Sequence, residues 1–80
     1  MTVTIKYFGL IADIMQRKEE HLFFEQTSQS LELIQSQLEE KYPEIKNVSY
    51  SFAVNQTLVK EDFVVSDNDE IALLPPFSGG

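Results

Sequence analysis

The stretch Ile71-Ala72-Leu73-Leu74-Pro75-Pro76 decides most of the fold of this chain. Its four apolar residues would present hydrophobic side chains on both faces of a strand, which is typical of a central strand covered on both sides. Proline has no backbone N–H to give to a sheet, so the two prolines predict that the strand ends at Leu74. A turn cluster precedes the strand, and within it Asn68 is the residue best suited to a positive φ.

Four other segments show the two-residue periodicity of strands. The first, over residues 2–8, places Val3, Ile5 and Tyr7 on one face and ends at Gly9. Three more strands are predicted further along, over residues 21–26, 50–55 and 58–60. A weak helical spacing covers residues 10–18.

One strong amphipathic helix is predicted in the middle of the chain. Leu31, Ile34, Leu38 and Tyr42 recur at steps of three and four residues. Pro43 disfavours helical geometry at the residue before it, so the helix should stop there. A helix that is apolar on one side must pack against something, and the predicted sheet is the available surface.

These elements predict an α+β chain in which a mixed sheet packs on one main helix. The opening strand pair, the single helix and the apolar final strand indicate a β-grasp arrangement, with the first and last strands side by side in the middle. We expect one domain over residues 1–74, followed by a flexible, extended tail over residues 75–80.

Composition excludes several classes of function. The 80 residues carry a net charge of −7, which repels nucleic acid and anionic membranes and favours a basic partner surface. The chain has no cysteine, which fits a reducing compartment such as the cytoplasm. We expect no signal peptide, no membrane span, no phosphate-binding loop and no metal site. Asp67, Asp69 and Glu70 are interpreted as turn formers, and the lone His21 as a surface residue.

The tail Pro75-Pro76-Phe77-Ser78-Gly79-Gly80 has an unusual chemistry. Fully extended, six residues reach on the order of 20 Å, and the last two carry no side chain. Such an end could deliver a carboxylate into another protein's active site and attack the α-phosphate of ATP there. The resulting acyl-adenylate would accept a sulfur or amine nucleophile. Terminal Gly-Gly on its own would be weak evidence, because frayed ends also look like this.

Several apolar residues fall on the face of the sheet that the helix does not cover. Side chains alternate between the two faces of a strand, so Phe8 shares a face with Thr2, Thr4 and Lys6. Every second residue of the last strand should face outward in the same way. We predict that Phe8, Leu74 and Leu58 form an exposed apolar patch that binds a partner. The alternative is that a loop folds over Phe8.

The segment Ala53-Val54-Asn55-Gln56-Thr57-Leu58-Val59, followed by Asp69-Glu70-Ile71-Ala72 and by the tail, closely resembles the small subunit family of molybdopterin synthase. That family, the MoaD family, belongs to the ubiquitin-like sulfur carriers. The resemblance also includes Phe8 and Tyr42-Pro43. The family usually has glycine where this chain has Asn68, and asparagine tolerates the same backbone.

The resemblance implies a mechanism and a set of partners. An adenylating enzyme would activate Gly80 with ATP and magnesium, and sulfur would then convert its carboxylate to a thiocarboxylate. Gly79 and the rest of the tail, from Pro75 through Ser78, would enter the large subunit of the synthase, within a heterotetramer. There sulfur would pass to cyclic pyranopterin monophosphate in molybdenum cofactor biosynthesis. The carrier would bind no cofactor of its own and act as a non-catalytic sulfur donor.

Three alternatives stay open at the level of sequence. The first is the sulfur carrier of the thiamine pathway, which shares Gly-Gly but generally lacks the preceding Pro-Pro. The second is a ubiquitin-like protein modifier that forms isopeptide bonds with lysines. The third is an interaction module with an inert tail. The first two need an activated Gly80 as well, so the tail alone does not separate them from the synthase subunit.

Overall fold

A computed structural model describes residues 1–76 as a mixed five-stranded sheet with a long helix across one face. The predictions made for Phe77, Ser78, Gly79 and Gly80 lie outside the described residues. The strands are β1 (Thr2–Tyr7), β2 (Glu19–Phe23), β3 (Ser28–Ser30), β4 (Ser51–Val54), β5 (Thr57–Val59), β6 (Val64–Ser66) and β7 (Glu70–Leu74). The helices are α1 (Gly9–Met15), α2 (Leu31–Lys41) and a 3₁₀ helix (Pro43–Asn47).

The strand order of the main sheet is β2-β1-β7-β4-β5. β1 and β7 pair in parallel, and the other neighbours are antiparallel. The first and last strands therefore lie side by side at the centre, as the sequence predicts. With α2 against one face, the α+β β-grasp prediction is confirmed.

The core lies between α2 and the inner face of the sheet. Alternation along β1 turns Val3, Ile5 and Tyr7 inward, where each is almost fully buried. Ser30 caps α2 by accepting a hydrogen bond from the Leu33 N–H at 3.4 Å, and the helix ends at Lys41, just before Tyr42 and Pro43. The remaining large, fully buried side chains are Ile11, Leu31, Ile34, Leu38, Ile45, Val65, Ile71 and Leu73.

The two faces of β7 differ, which corrects the expectation that both are covered. Ile71 and Leu73 are fully buried beneath α2, whereas Ala72 and Leu74 are only partly buried. Within residues 1–76 only one helical layer covers the sheet. The apolar second face of the central strand therefore has less cover than a four-residue apolar run suggests.

The structure contains a second, two-stranded sheet that the sequence does not predict. β3 pairs with β6, with Gln29 opposite Val65. The chain just before β6 also closes the start of α2, since the Phe63 and Glu61 carbonyls accept hydrogen bonds from the Leu31 and Glu32 N–H groups at 2.8 and 2.9 Å. Segment 61–66 thus satisfies helix-start donors that otherwise lack partners.

Two turns contain residues with positive φ: the β4–β5 hairpin and the turn between β6 and β7. Asn55 and Gln56 have φ of 51° and 70°, as in the tight two-residue hairpins that give strands their correct twist. Asn68 has φ of 68°, as predicted. β2 begins two residues earlier than predicted, because the Tyr7 N–H bonds to the Lys18 carbonyl at 2.8 Å and so starts the pairing there.

Candidate partner surface and tail root

A row of small and apolar side chains crosses the outer face of the sheet, the face that α2 leaves open. Leu58 on β5 stands opposite Ala53, and Ala53 stands opposite Ala72 on β7. Leu58 is 63% exposed and Ala53 only 7%. Small residues in the middle make this part of the face shallow, so a partner could approach the backbone closely.

A second apolar row lies at the end of the sheet from which the tail leaves. Tyr7 and Leu73 are register partners, and Phe8 and Leu74 lie one residue beyond them. The Phe8 N–H donates to the Leu73 carbonyl at 3.3 Å, so the two strands stay in contact as far as Phe8. Phe8 is 44% exposed, so no loop among residues 1–76 buries it.

The root of the tail rests on the segment that follows β1. Gly9 has φ of +54°, and a Cβ built on it would stand 3.0 Å from Cγ of Pro75. Pro75 is partly buried and Pro76 is exposed. The segment after β1 therefore packs against Pro75 and helps to fix where Pro75 lies.

A cavity of about 310 Å³ opens beside this root. Its lining residues are Lys6, Tyr7, Phe8, Gly9, Ala12, Lys18 and Glu19. Phe8 is one of the lining residues, so the surface near the tail root is concave and partly apolar. A protruding side chain of a partner could fit there.

Charge borders this apolar surface along one side. Lys6 Nζ lies 2.6 Å from Glu70 Oε1, across the β1–β7 pair. The hydrogen bond with Glu70 raises the pKa of the Lys6 amine above its ordinary value. Lys6 is thus held as a cation next to Ala72, on a chain that is strongly acidic overall.

The acidic residues of the last turn make hydrogen bonds within the chain. Asp67 Oδ1 accepts from the Thr2 N–H at 2.7 Å, and Asp69 Oδ2 accepts from the Ser66 N–H at 2.8 Å. Asn55 ties this turn to the β4–β5 hairpin, since its Oδ1 accepts from the Glu70 N–H at 3.0 Å. Asp67 and Asp69 thus act as turn formers, as the sequence predicts, whereas Glu70 is the first residue of β7 and its side chain pairs with Lys6.

The other singled-out residues lie away from this surface or in ordinary roles. His21 is exposed on β2, with Nδ1 3.0 Å from Thr4 Oγ1. Within the part of the chain that the structure describes, no group of three or more candidate ligands is arranged to hold a metal ion. No helix in that part is both long and apolar enough to cross a membrane.

The structure brings together Phe8, Leu74 and Pro75 at one end of the outer face, and places Leu58 across the sheet from them. Sequence reasoning missed Gly9, which it read only as a strand end, and Ala53. The sequence could have suggested a close contact at Gly9, because glycine often occurs where two chain segments approach closely. Nothing in the sequence paired it with Pro75.

Comparison with known proteins gives a consistent picture. The model of the ThiS family matches residues 5–80. The molybdopterin synthase sulfur carrier subunit of Mycobacterium tuberculosis is 28% identical over 80 residues, covering 98% of this chain and 96% of that protein. The resemblance found in the sequence is confirmed.

Two solved structures show the same fold. One is a protein–protein complex of subunits 1 and 2 of molybdopterin-converting factor from Helicobacter pylori; the matching chain has a TM-score of 0.73, 26% identity and full coverage of both chains. The other is SAMP1 from Haloferax volcanii, a small archaeal modifier protein, with a TM-score of 0.84, 17% identity and full coverage of both chains.

Proposed function

Since this chain belongs to the ThiS family, we propose that it is the sulfur-carrier small subunit of a molybdopterin synthase. The observation that carries the proposal is the similarity to the molybdopterin synthase sulfur carrier subunit of Mycobacterium tuberculosis, which extends over 98% of this chain. An apolar outer face that leads to a supported tail root adds a structural reason: a carrier has to dock by its body and present its end.

The proposed chemistry begins at the carboxylate of Gly80. A carboxylate oxygen attacks the α-phosphorus of ATP, pyrophosphate leaves, and an acyl-adenylate forms. An adenylating enzyme would supply the site, with magnesium on the phosphates. A sulfur nucleophile, such as an enzyme persulfide, then displaces AMP from the carbonyl carbon. A thiol then attacks the enzyme sulfur of the resulting acyl disulfide, so that its S–S bond breaks, a disulfide forms on the enzyme, and the thiocarboxylate is released.

The second half of the cycle would occur in the large subunit. The thiocarboxylate gives its sulfur to cyclic pyranopterin monophosphate, and hydrolysis returns Gly80 to a carboxylate. Two loaded carriers supply the two sulfurs of one dithiolene. In this scheme the chain is a donor and not a catalyst, and the described residues contribute docking and positioning. We place these steps in the cytoplasm.

The docking partner in the proposal is the large synthase subunit, in a heterotetramer of two large and two small subunits. The Helicobacter pylori structure, in which subunits 1 and 2 of a converting factor form a complex, supports such a partner. The apolar surface of Phe8, Leu58 and Leu74 is the contact region we assign to it. Burial of such a patch on binding is the usual source of affinity at an interface.

The proposal is tested by reconstitution with purified components. The chain is co-expressed with the large subunit and an adenylating enzyme, and intact mass spectrometry reads the exchange of one oxygen for sulfur at the C-terminus. The loaded chain is then assayed for molybdopterin formation with the large subunit and the precursor. A chain that takes up sulfur but forms no complex with the large subunit, and makes no product, contradicts the proposal.

The similarity to SAMP1 favours a second candidate, a protein modifier. A modifier would form isopeptide bonds between Gly80 and lysine side chains, and higher-mass conjugates would accumulate in cells. Conjugates that disappear when Gly80 is deleted would support this candidate. The thiamine-pathway carrier is distinguished in the same assay, since it would load with sulfur and fail to serve the synthase.

A further inference from the structure

The edge of β2 is the longer of the two open edges of the main sheet. Within residues 1–76, β2 pairs only with β1, and β5 pairs only with β4. β5 spans three residues, whereas β2 spans five. Short edges resist pairing with other chains, and long ones invite it unless charge, proline or a bulge blocks them.

The register shows which backbone groups face outward at this edge. Hydrogen bonds join Tyr7 to Lys18 and Met1 to Phe24, so even-numbered residues of this segment use their N–H and C=O groups toward β1. Antiparallel pairs alternate between bonded and non-bonded partners. The N–H and C=O groups of Glu19, His21 and Phe23 therefore point away from the sheet.

A groove runs between this edge and α2. Its volume is about 180 Å³, and its walls are the side chains of Leu22, Phe23, Phe24, Gln37, Leu38 and Lys41. Leu22 and Phe24 are partly buried against the core, while Phe23 is 73% exposed, which makes it the most exposed large apolar side chain among the described residues. The edge thus combines open backbone donors and acceptors with apolar walls.

A polar cluster around Glu20 reaches the groove through Lys41. Arg17 forms a salt bridge with Glu20, and its guanidinium also donates to Tyr42 Oη at 2.8 Å. Lys41 Nζ lies 3.9 Å from Glu20 Oε1. Both cations pair with the single carboxylate of Glu20, which leaves this cluster with a net positive charge, so the attraction for a cationic occupant comes from carboxylates elsewhere along the edge.

Exposed carboxylates stand at both ends of the open edge. Glu19 lies at one end, and Glu25 lies just beyond the other; both are exposed. Four of the six residue steps between them lie within β2, and six fully extended steps would span about 20 Å. Together with a net charge of −7, this pattern selects against a second copy of this chain and for a cationic occupant.

We propose that the β2 edge binds an extended peptide segment of another protein as an added strand. The segment has alternating apolar side chains, which enter the groove between β2 and α2, and basic residues on both flanks, which meet Glu19 and Glu25. The groove of this site is separate from the outer-face surface, and the site meets the cavity beside the tail root only at Glu19. It stands whether or not the sulfur-carrier function is correct.

Strand addition predicts a definite pattern of contacts. The backbone of the peptide takes up hydrogen bonds with Glu19, His21 and Phe23, and every second peptide side chain packs against Leu22 and Leu38. Main-chain bonds provide affinity in this mode and alternate pockets provide specificity. β7, from which Pro75 continues, lies on the side of β1 away from β2, and Glu19 is the residue that this site shares with the cavity beside the tail root.

The test uses the full chain and the synthetic peptide acetyl-Lys-Lys-Val-Thr-Ile-Thr-Val-Lys-Lys-amide. Amide and methyl NMR spectra are recorded during a titration. We expect shifts at Leu22 and Leu38 methyls and slower hydrogen exchange at the His21 and Phe23 amides. A peptide with glutamates in place of the lysines should bind at least tenfold more weakly, and the difference should shrink at high salt.

A matched pair of variants isolates the backbone bond. His21→Pro removes an outward N–H without touching the β1–β2 bonds, and His21→Ala keeps it; both lose the contact with Thr4. We expect His21→Pro to lose at least tenfold in affinity and His21→Ala less than threefold. Should the proline variant fail to fold, N-methylation of alternate peptide amides tests the same bond on the unmodified chain.

Three results would overturn the proposal. The first is a set of shifts centred on Ala53, Ala72 and Leu74, which would put the peptide on the outer face. The second is equal binding of the N-methylated or the glutamate-flanked peptide. The third is dimerisation of the chain through β2 in analytical ultracentrifugation with no peptide binding, which would make a second copy the occupant.

Discussion

Gly9 packs against Pro75: a Cβ on Gly9 would stand 3.0 Å from Pro75 Cγ, closer than about nine in ten real Cβ contacts. The backbone of Gly9 is also left-handed, with φ of +54°. One residue therefore meets two demands that a side chain would violate. The loop after the first strand and the start of the tail are in this way a single structural unit.

We predict that Gly9→Ala weakens sulfur transfer by tenfold or more. The added methyl requires Pro75 to shift by a few tenths of an ångström, and rates are sensitive to such changes, since a misplacement of about 1 Å at a reacting group can cost a hundredfold. The left-handed backbone adds about 1–2 kcal/mol of destabilisation. Rates of product formation and a urea melt measure the two effects separately.

Its control is a double variant. Gly9→Ala combined with Pro75→Ala removes the Cγ that the new methyl meets, while leaving the backbone strain in place. Recovery of rate without recovery of stability would assign the effect to the contact. If rate and stability rise and fall together in all variants, Gly9 acts only through folding.

The second prediction concerns Leu38, which is 2% exposed against the inner face of the sheet. Leu38→Ala should lower the free energy of unfolding by about 2–5 kcal/mol, since it removes buried methyl groups and leaves a cavity. Leu33→Ala on the same helix is the control, because Leu33 is mostly exposed. Equal denaturation midpoints for the two variants would place Leu38 outside the core.

The third prediction concerns Phe8. Phe8→Asp should leave the domain folded and weaken binding to the large subunit by about 2 kcal/mol or more, the usual contribution of an aromatic anchor. Leu33→Asp, an exposed apolar residue on α2, should leave binding unchanged. Calorimetric titration gives both affinities. Failure of Phe8→Asp to fold would show that Phe8 is part of the core after all.

The fourth prediction concerns Gly80. Deletion of Gly80, or addition of one residue after it, should abolish sulfur transfer and leave thermal stability and large-subunit binding nearly intact. One residue moves the reacting carbonyl by roughly 3.3 Å, and an active site that fits glycine leaves no room for a side chain. Intact mass and product formation are the measurements. An extended chain that still loads sulfur and supports product would assign the chemistry to a different residue.

Much of this architecture could be predicted from the sequence because the strongest patterns are local. The three-and-four spacing from Leu31 to Leu38 fixes the helix, and the alternation of Val3, Ile5 and Tyr7 fixes the first strand. The positive φ of Asn68 could be predicted because asparagine adopts this backbone conformation more readily than most other residues. In each case a single segment contains both the pattern and the physical reason for it.

The parts that were missed depend on partners distant in sequence. Ser28-Gln29-Ser30 has no strand pattern and becomes β3 only because Val65 and its neighbours supply the pairing. Gly9 gains its role from Pro75, which lies far along the chain. The open edge of β2 exists only because of the strand order. None of these relationships produces a periodic hydrophobic pattern in the sequence around the residues concerned.

The parallel pairing of β1 with β7 has a consequence for biosynthesis. The centre of the sheet joins the earliest strand to the latest, so nearly all of the domain must leave the ribosome before the core can close. Contacts this distant in sequence also slow folding, since a long loop must be closed before they form. A nascent chain interrupted before Glu70 lacks the strand that separates β1 from β4, and it would expose apolar surface that proteases and chaperones recognise. The complete fold therefore forms only after β7, the strand just before the tail, has been synthesised.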